Sequence, residues 1–212
     1  MKYTHVIWDW NGTLLDDVGW CVSVINGMLK RRGLKLLKGV PDYQRAFCFP
    51  IINLYKNLGV DFDKEPFEDV AHEYIPLYHS EKTGGCKLSA CAEYVLEAIH
   101  QQGISQIILS ASEINNLMSQ INEFDIRHYF DAILGLSDIY AKSKIEIGLD
   151  YFKDEIKDAL LVGDTEHDWE TAKALGIDCL LVAIGHQSKD TLLACGAPIV
   201  LNNLAQVIEY IN

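Results

Sequence analysis

The stretch Val6-Ile7-Trp8-Asp9-Trp10-Asn11-Gly12-Thr13-Leu14-Leu15 decides the fold of this chain. Its apolar beginning predicts a strand buried in a parallel sheet, and that strand ends in the carboxylate of Asp9. A tight polar turn, residues 11–13, follows at once. Burying an unpaired carboxylate is costly unless it is hydrogen-bonded, coordinated or neutralised. The position of Asp9 therefore indicates a chemical role rather than a structural one.

Beyond residue 100, short apolar runs alternate with amphipathic stretches. Strands are predicted at residues 106–109, 132–134, 159–162 and 179–184, and helices at residues 92–102, 114–124, 145–152 and 166–175. Short apolar runs separated by helical periods are typical of βαβ units. The sequence therefore predicts an α/β fold, a parallel sheet with helices on both faces.

A long insertion separates the first predicted strand from the second. The intervening chain is much longer than one crossover helix requires. Helical periodicity within it covers residues 19–32, 51–58 and 67–81, with Gly33, Gly39-Val40-Pro41 and Gly59 as breaks. We therefore expect an inserted, all-helical unit.

The insertion divides the chain into two predicted domains. Residues 17–87 form the helical cap, and residues 1–16 together with 88–212 form the core. Hinges are expected at Asp16-Asp17 and at Thr83-Gly84-Gly85, because glycine pairs permit large dihedral changes.

Composition makes several kinds of partner improbable. Eighteen Lys and Arg against 30 Asp and Glu give a net charge of -12, which disfavours binding to nucleic acid and to anionic membranes. No apolar run approaches the length of a membrane span, and the amino terminus enters a strand without a signal segment, so we expect a cytoplasmic protein. The six cysteines are dispersed without a CxxC pair, which favours reduced thiols over a zinc site or disulfides.

Polar residues follow the predicted strands at the edge where open α/β sheets bind ligands. Ser110 lies at the end of the second strand, after Ile108 and Leu109, and Asp164 and Asp168 follow a later strand. Acids four residues apart across a strand-to-helix junction can point at one cation. Together with Asp9, they would repel one another without a cation, and their hard oxygen ligands favour magnesium. The sequence therefore predicts a Mg²⁺ site.

A lysine at the start of a predicted helix adds a cation to this edge. Lys144 opposes the positive end of the helix dipole, so its position has no helix-stabilising explanation. Lys142 is the alternative at this place in the sequence.

These motifs resemble those of phosphohydrolases in the haloacid dehalogenase superfamily, in the group with a helical cap after the first strand. The family pattern DxDGT is met by Asp9-Trp10-Asn11-Gly12-Thr13, the strand-end Ser or Thr by Ser110, the lysine by Lys144, and the acidic motif by Gly163-Asp164 with Asp168. Residues 47–50 and 55–59 are similar to those of phosphoglycolate phosphatase-like members. The resemblance implies a Rossmann-like core.

The resemblance also implies a phosphatase that acts on a small phosphorylated metabolite. Asp9 would be the nucleophile and form an aspartyl phosphate, and the implied catalytic set is Asp9, Asn11, Ser110 and Lys144. The implied phosphate-binding set is Asn11, Gly12, Ser110, Ala111 and Lys144. The implied Mg²⁺ ligands are Asp9, the backbone carbonyl of Asn11, Asp164 and, directly or through water, Asp168.

The chain departs from the family pattern at Asn11, where the family has its general acid and base. An amide cannot shuttle a proton, and such catalysis is typically worth about 10²–10⁴-fold, so the enzyme is expected to be slow or restricted to good leaving groups. His167 is the nearest candidate for a substitute. On this interpretation, Asn11→Asp is expected to raise turnover.

Two other functions remain open. A non-catalytic or long-lived phosphoprotein, or a phosphate sensor, would use Asp9 as a stable phosphoryl acceptor. A phosphonate hydrolase or dehalogenase of the same superfamily would tolerate a non-acid at position 11. Cations of the cap are candidates for binding a second anionic group of a substrate, namely Lys30, Arg31, Arg32 and Arg45.

Overall fold

The computed structural model describes residues 2–80, 85–137, 143–153 and 156–211. In chain order its strands are β1 (His5–Trp8), β2 (Leu15–Asp16), β3 (Lys87–Leu88), β4 (Ser105–Glu113), β5 (Ala132–Leu136), β6 (Ala159–Gly163), β7 (Asp178–Val182) and β8 (Val200–Leu201). Its α-helices are α1 (Val18–Arg31), α2 (Val40–Ala46), α3 (Ile52–Asn57), α4 (Phe67–Tyr78), α5 (Ala92–His100), α6 (Ile114–Glu123), α7 (Lys144–Phe152), α8 (Glu166–Leu175), α9 (Lys189–Ala194) and α10 (Val207–Ile211).

A six-stranded parallel sheet in the order β5-β4-β1-β6-β7-β8 forms the centre of the molecule. The first strand lies between β4 and β6, and Trp8 is in register with both Ile108 and Val162. Val6, Ile7 and Trp8 are fully buried, as expected of a central parallel strand that is covered on both faces. The segments that follow β1, β4 and β6 therefore leave the sheet at the same edge.

Helices cover both faces of this sheet. Val6 and Trp8 pack with residues of α5, α6 and α10, whereas Ile7 packs on the opposite face with residues of α7, α8 and α9. This alternation follows from the two-residue period of a strand. The predicted α/β, Rossmann-like fold is confirmed.

Four helices, α1 to α4, lie between β2 and β3 and have apolar cores of their own. The two short strands form an antiparallel pair, with Leu15 opposite Leu88, where the chain leaves and re-enters the core. No strand occurs among the described residues between them. The domain bounds at residues 17 and 87 stay a prediction, and Thr83 and Gly84 of the second expected hinge lie outside the described residues.

One helix of the insertion was not predicted. Helix α2 begins at Val40, where Gly39-Val40-Pro41 indicated only a break in the chain. Proline is tolerated in the first turn of a helix because the amide hydrogen that it lacks has no partner there. This helix provides two side chains, Tyr43 and Gln44, that contact the core.

No helix among the described residues has both the length and the apolar character needed to cross a membrane.

A buried glutamine links the first strand to its neighbours. The indole Nε1 of Trp8 donates to Oε1 of Gln106 at 3.0 Å, and Nε2 of Gln106 donates to the carbonyl oxygen of Leu96 at 2.9 Å. Both side chains are buried, so water cannot replace either hydrogen bond.

The exchange Gln106→Leu keeps the side-chain size but leaves the indole N–H of Trp8 without an acceptor. We expect the free energy of unfolding, measured by urea denaturation, to fall by about 2 kcal/mol. The control is Gln101→Leu, because the Gln101 amide bonds to Glu97 at the surface and its loss should change stability by about 0.5 kcal/mol at most. Equal free energies of unfolding for the two variants would contradict the structural role of Gln106.

Candidate active site

The carboxyl ends of β1 and β6 bring three acids together. One carboxylate oxygen from each of Asp9, Asp164 and Asp168 lies within 4.8 Å of the others. Asp164 and Asp168 are buried, and the Asp9 side chain is 13% exposed, which leaves it the most accessible of the three. The structure thus assembles the predicted acid cluster, which we define as Asp9, Asp164 and Asp168.

The local fold of β6 and α8 explains the position of Asp168. Thr165 is the N-cap of α8, and its backbone N and Oγ1 donate to Oδ2 of Asp168 at 3.0 and 2.8 Å. A Cβ atom at Gly163 would lie 2.2 Å from Cγ of Asp168, so only glycine fits there. One oxygen of Asp168 therefore caps the helix while the other, Oδ1, remains for the site.

Lys144 joins two members of the acid cluster. Its Nζ donates to Oδ1 of Asp9 and to Oδ1 of Asp168, both at 2.5 Å, and its side chain is 2% exposed. The residue begins α7, and the preceding Ser143 caps that helix. The predicted alternative, Lys142, lies outside the described residues.

One ammonium group does not balance three buried carboxylates. Burial raises the pKa of Asp9 to about 6, an effect that Lys144 opposes and Asp168 reinforces. Burial likewise raises the pKa of Asp164 well above its usual value. Burial also disfavours ionised Asp168, but Lys144 and the donors of Thr165 outweigh it and lower the pKa of Asp168. A divalent cation would allow all three acids to ionise.

The donor set of the acid cluster fits a hard cation. All three side chains offer carboxylate oxygens, the ligands that Mg²⁺ prefers, without a sulfur or imidazole ligand among them. The residues present therefore agree with the predicted Mg²⁺, whose binding stays a prediction.

Asp164 is held by two groups that were not predicted to contact it. Oγ1 of Thr13 donates to its Oδ1 at 2.9 Å, and the backbone N of His186 donates to its Oδ2 at 2.6 Å. A Cβ atom would approach Oδ2 of Asp164 to 2.4 Å at Gly12 and to 2.0 Å at Gly185. The available signal for this loop in the sequence was Gly185, which directly follows the apolar run at residues 179–184.

A second buried cluster surrounds Asp17, which was predicted only as a hinge residue. Its carboxylate accepts from the backbone N of Gly12 at 2.9 Å, and His186 Nε2 lies 3.4 Å from Oδ1. Burial opposes ionisation, but His186 and the surrounding donors outweigh it and lower the pKa of Asp17. Asp17 in turn raises the pKa of His186 to about 9 despite its burial. The two groups form an ion pair, with the Cys21 thiol 3.7 Å from Oδ2 of Asp17.

Every polar side-chain atom of Asn11 has a partner. Nδ2 donates to Oδ2 of Asp17 at 2.8 Å and to the hydroxyl of Tyr78 at 2.9 Å, while Oδ1 accepts from Oγ of Ser112 at 2.6 Å. Neither Tyr78 nor Ser112 was predicted at the site. They come from α4 and from the end of β4, so their approach depends on tertiary packing.

The remaining predicted phosphate-binding groups lie at the same edge. Ser110 was predicted at the end of its strand, but β4 continues to Glu113, and its pairing with β5 shifts register between Leu109 and Glu113. The buried Oγ of Ser110 accepts from the backbone N of Ser112 at 3.0 Å, and the neighbouring Ala111 is exposed. The backbone N of Gly12 donates to Asp17 and to the carbonyl oxygen of Leu15. Phosphate binding by these groups stays a prediction.

The inserted helices contact the core beside this edge. Tyr43 OH lies 2.8 Å from Nδ1 of His186, Gln44 donates to the carbonyl oxygen of Gly185 at 2.8 Å, and the Phe47 ring stacks on His186 at 5.3 Å. His186 therefore contacts the insertion through its ring and the acid cluster through its backbone.

His167, predicted as a substitute proton donor, has other contacts. Its ring lies 5.3 Å from that of Phe49, and its Nδ1 lies 3.4 Å from Glu170. Among the described residues, no hydrogen bond joins the His167 ring to Asp9 or Asn11. The structure thus offers no support for His167 as the replacement for an acid at position 11.

Comparisons with known proteins agree on one family. A sequence model described as haloacid dehalogenase-like hydrolase matches residues 6–182. A phosphoglycolate phosphatase of Pseudomonas fluorescens is 22% identical over 214 residues, which cover 96% of this chain and 78% of the relative. A protein of Caldanaerobacter subterraneus, provisionally named pyrophosphatase PpaX, is 26% identical over 192 residues, 86% of this chain and 82% of its own length.

Solved structures agree as well. A haloacid dehalogenase-like hydrolase from Streptococcus pneumoniae has a TM-score of 0.84 at 18% identity, with 100% of this chain and 99% of that chain covered. This likeness confirms the fold. The family match extends from β1 to β7 and includes the strand ends that position Asp9, Ser110 and Asp164. The chain therefore belongs to the haloacid dehalogenase-like hydrolase family.

Proposed function

We propose that the protein is a cytoplasmic, magnesium-dependent phosphatase that hydrolyses a small phosphorylated metabolite through an aspartyl phosphate on Asp9. The observation that supports this most is the Lys144 bridge between Asp9 and Asp168 at the carboxyl edge of the central strand. The names of the relatives, phosphoglycolate phosphatase and pyrophosphatase, support phosphate release in general.

Asp9 is arranged to attack with one particular oxygen. Lys144 holds Oδ1 at 2.5 Å, whereas the Thr13 hydroxyl lies 3.4 Å from Oδ2, and the backbone N–H of Trp10 also bonds to this carboxylate. In the first step Oδ2 forms a bond to phosphorus and the bond from phosphorus to the leaving oxygen breaks. In the second step water attacks phosphorus, the bond from phosphorus to Oδ2 breaks, and the carboxylate of Asp9 is regenerated while the phosphate product keeps the hydrogens of the water.

Lys144 and Ser110 each have a hydrogen-bond donor that can bind an oxygen of the phosphoryl group. An ammonium group has three N–H bonds, and Asp9 and Asp168 occupy two of those of Lys144. Oγ of Ser110 accepts a hydrogen bond from Ser112, and within the described part of the chain its own O–H donates to no other group. Both groups would thereby hold the equatorial oxygens during transfer.

The acid cluster and the backbone carbonyl of Asn11 would hold Mg²⁺, with Asp168 acting directly or through water. When bound, the ion neutralises negative charge on the transferring phosphoryl group. Asn11 has no ionisable proton, so the leaving oxygen takes its proton from another group or from solvent, or leaves as a stable anion. We therefore propose a slow enzyme or one restricted to good leaving groups.

The cations considered for a second anionic group of the substrate are mostly paired within the insertion. Arg31 and Arg32 both bond to Glu73, Arg32 also bonds to Glu65, and Arg45 bonds to Asp42. Recognition of a second anion by these arginines would require breaking those pairs. The proposed substrate is therefore defined by its phosphate group, and phosphoglycolate is one member of the class to be tested.

A long-lived phosphoprotein is the second candidate function. The observation that favours it is Asn11, whose hydrogen-bonded amide cannot activate water as a base. Both functions begin with the same transfer to Asp9, and they differ in how long the phosphoryl group remains there.

The exchange Asp9→Asn removes the proposed nucleophile without changing the size of the side chain. We expect metal-dependent phosphate release from a panel of phosphate esters and an acyl phosphate to fall by about 10³-fold or more. The matched control is Asp69→Asn, an exposed acid of α4, which should retain wild-type rates. Undiminished release by Asp9→Asn would contradict the assignment.

Addition of Mg²⁺ to metal-free protein is expected to raise the midpoint of thermal unfolding by about 3 °C, because a ligand that binds only the folded state stabilises it. Asp164→Asn should abolish this increase, whereas Asp190→Asn, an exposed acid of α9, should retain it. The midpoint is measured by circular dichroism with and without the ion. An equal increase in Asp164→Asn and wild type would place the ion elsewhere.

A further inference from the structure

The partners of Asn11 fix the orientation of its amide. A carboxylate only accepts hydrogen bonds, so the group 2.8 Å from Oδ2 of Asp17 must be the Nδ2 of Asn11. Its second N–H is directed to the hydroxyl of Tyr78, and Oδ1 faces the hydroxyl of Ser112. The donors and the acceptor of one side chain therefore meet partners from three other segments.

The carboxylate of Asp17 is part of the same hydrogen-bond network. Its carboxylate is 1% exposed and accepts from the Tyr78 hydroxyl at 2.6 Å as well as from Asn11 and the backbone of Gly12. A buried carboxylate needs donors on its oxygens, and Asn11 supplies one of them.

An acid at position 11 does not fit beside Asp17. The exchange Asn11→Asp replaces Nδ2 by an oxygen, so a donor 2.8 Å from Oδ2 of Asp17 becomes a second acceptor. Two carboxylates at that distance in a buried site repel each other, and a hydrogen bond between them forms only if one of the two takes up a proton. The amide at position 11 is thus the residue that the carboxylate at position 17 requires.

The same contacts connect the insertion to the loop that contains Asp9. Tyr78 is the last residue of α4, and its hydroxyl bonds to both Asp17 and Asn11. Asn11 lies two residues after Asp9. Movement of α4 away from the core must break both bonds of the hydroxyl and release one side of the Asn11 amide.

We propose that Asp17 and Tyr78 are positioning residues of the active site, which hold the Asn11 amide in one orientation and make an amide the fitting residue at position 11. The proposal rests on the proposed phosphatase function and names the groups that set the geometry of its first loop. It reverses the expectation from sequence that Asn11→Asp raises turnover.

The test is an exchange of the two side chains. Asn11→Asp and Asp17→Asn, each alone, should lower the midpoint of thermal unfolding by about 5 °C and lower kcat with para-nitrophenyl phosphate by about tenfold. The double variant Asn11→Asp/Asp17→Asn should recover part of both losses, because one amide again faces one carboxylate, although His186 then faces an amide instead of its ion-pair partner. The proposal would be overturned if the decreases in unfolding midpoint of the two single variants simply added in the double variant. It would also be overturned if Asn11→Asp matched or exceeded wild type in unfolding midpoint and kcat.

Tyr78→Phe separates positioning from folding. We expect kcat to fall about tenfold while KM changes by less than about twofold, since the lost hydrogen bonds orient Asn11 rather than bind the ester. Tyr74→Phe is the matched control, because its hydroxyl lies on the same helix but donates to Cys21, and its kcat should stay at the wild-type value. Equal kcat values for the two tyrosine variants would contradict the role of Tyr78.

The two proposals fail in different ways. If wild type released no phosphate from any ester, the phosphatase function would be wrong, and the unfolding midpoints of the four proteins would still test the pair. If wild type were active but the exchange gave no recovery, only the positioning proposal would be wrong.

Discussion

The burial of three carboxylates around one ammonium group is the constraint on which the site depends. Lys144 donates to Asp9 and Asp168 at the same distance, and this shared cation favours the ionised form of both acids. No lysine or arginine among the described residues pairs with Asp164, and burial raises its pKa well above the usual value although the charge of His186 opposes the rise. The arrangement is therefore electrostatically incomplete as it stands, which is the physical reason to propose a divalent cation there.

The course of the backbone determines where these charged side chains lie. Parallel pairing of β1 with β4 and β6 ends three buried strands at one edge, so their loops meet. Gly12, Gly163 and Gly185 then let carboxylates approach the backbone more closely than a Cβ atom would permit. These glycines are therefore as necessary to the geometry of the site as the acids are.

The sequence predicted the acids and the sheet for a definite reason. Asp9 and Lys144 each break a local rule, since an acid ends a buried strand and a cation begins a helix, and local rules can be checked without a structure. Asp164 was predicted from its spacing to Asp168 taken together with Asp9. Asp17, Tyr78 and His186 break no such rule. Their role depends on how the inserted helices pack against the core, which the sequence alone does not show. Helix α2 was missed for a local reason, because Gly39 before it and Pro41 in its first turn indicated only a break in the chain.

The proposed phosphatase reaction consists of phosphoryl transfer to Asp9 followed by hydrolysis of the aspartyl phosphate. Acid quenching of the magnesium-loaded protein during a single turnover of a labelled acyl phosphate measures both steps directly. We expect a hydroxylamine-sensitive label on the peptide containing Asp9 that rises and then decays at the rate at which phosphate appears. A label that persists on Asp9 would identify a phosphoprotein instead, and the absence of label on that peptide at every time would contradict Asp9 as the nucleophile.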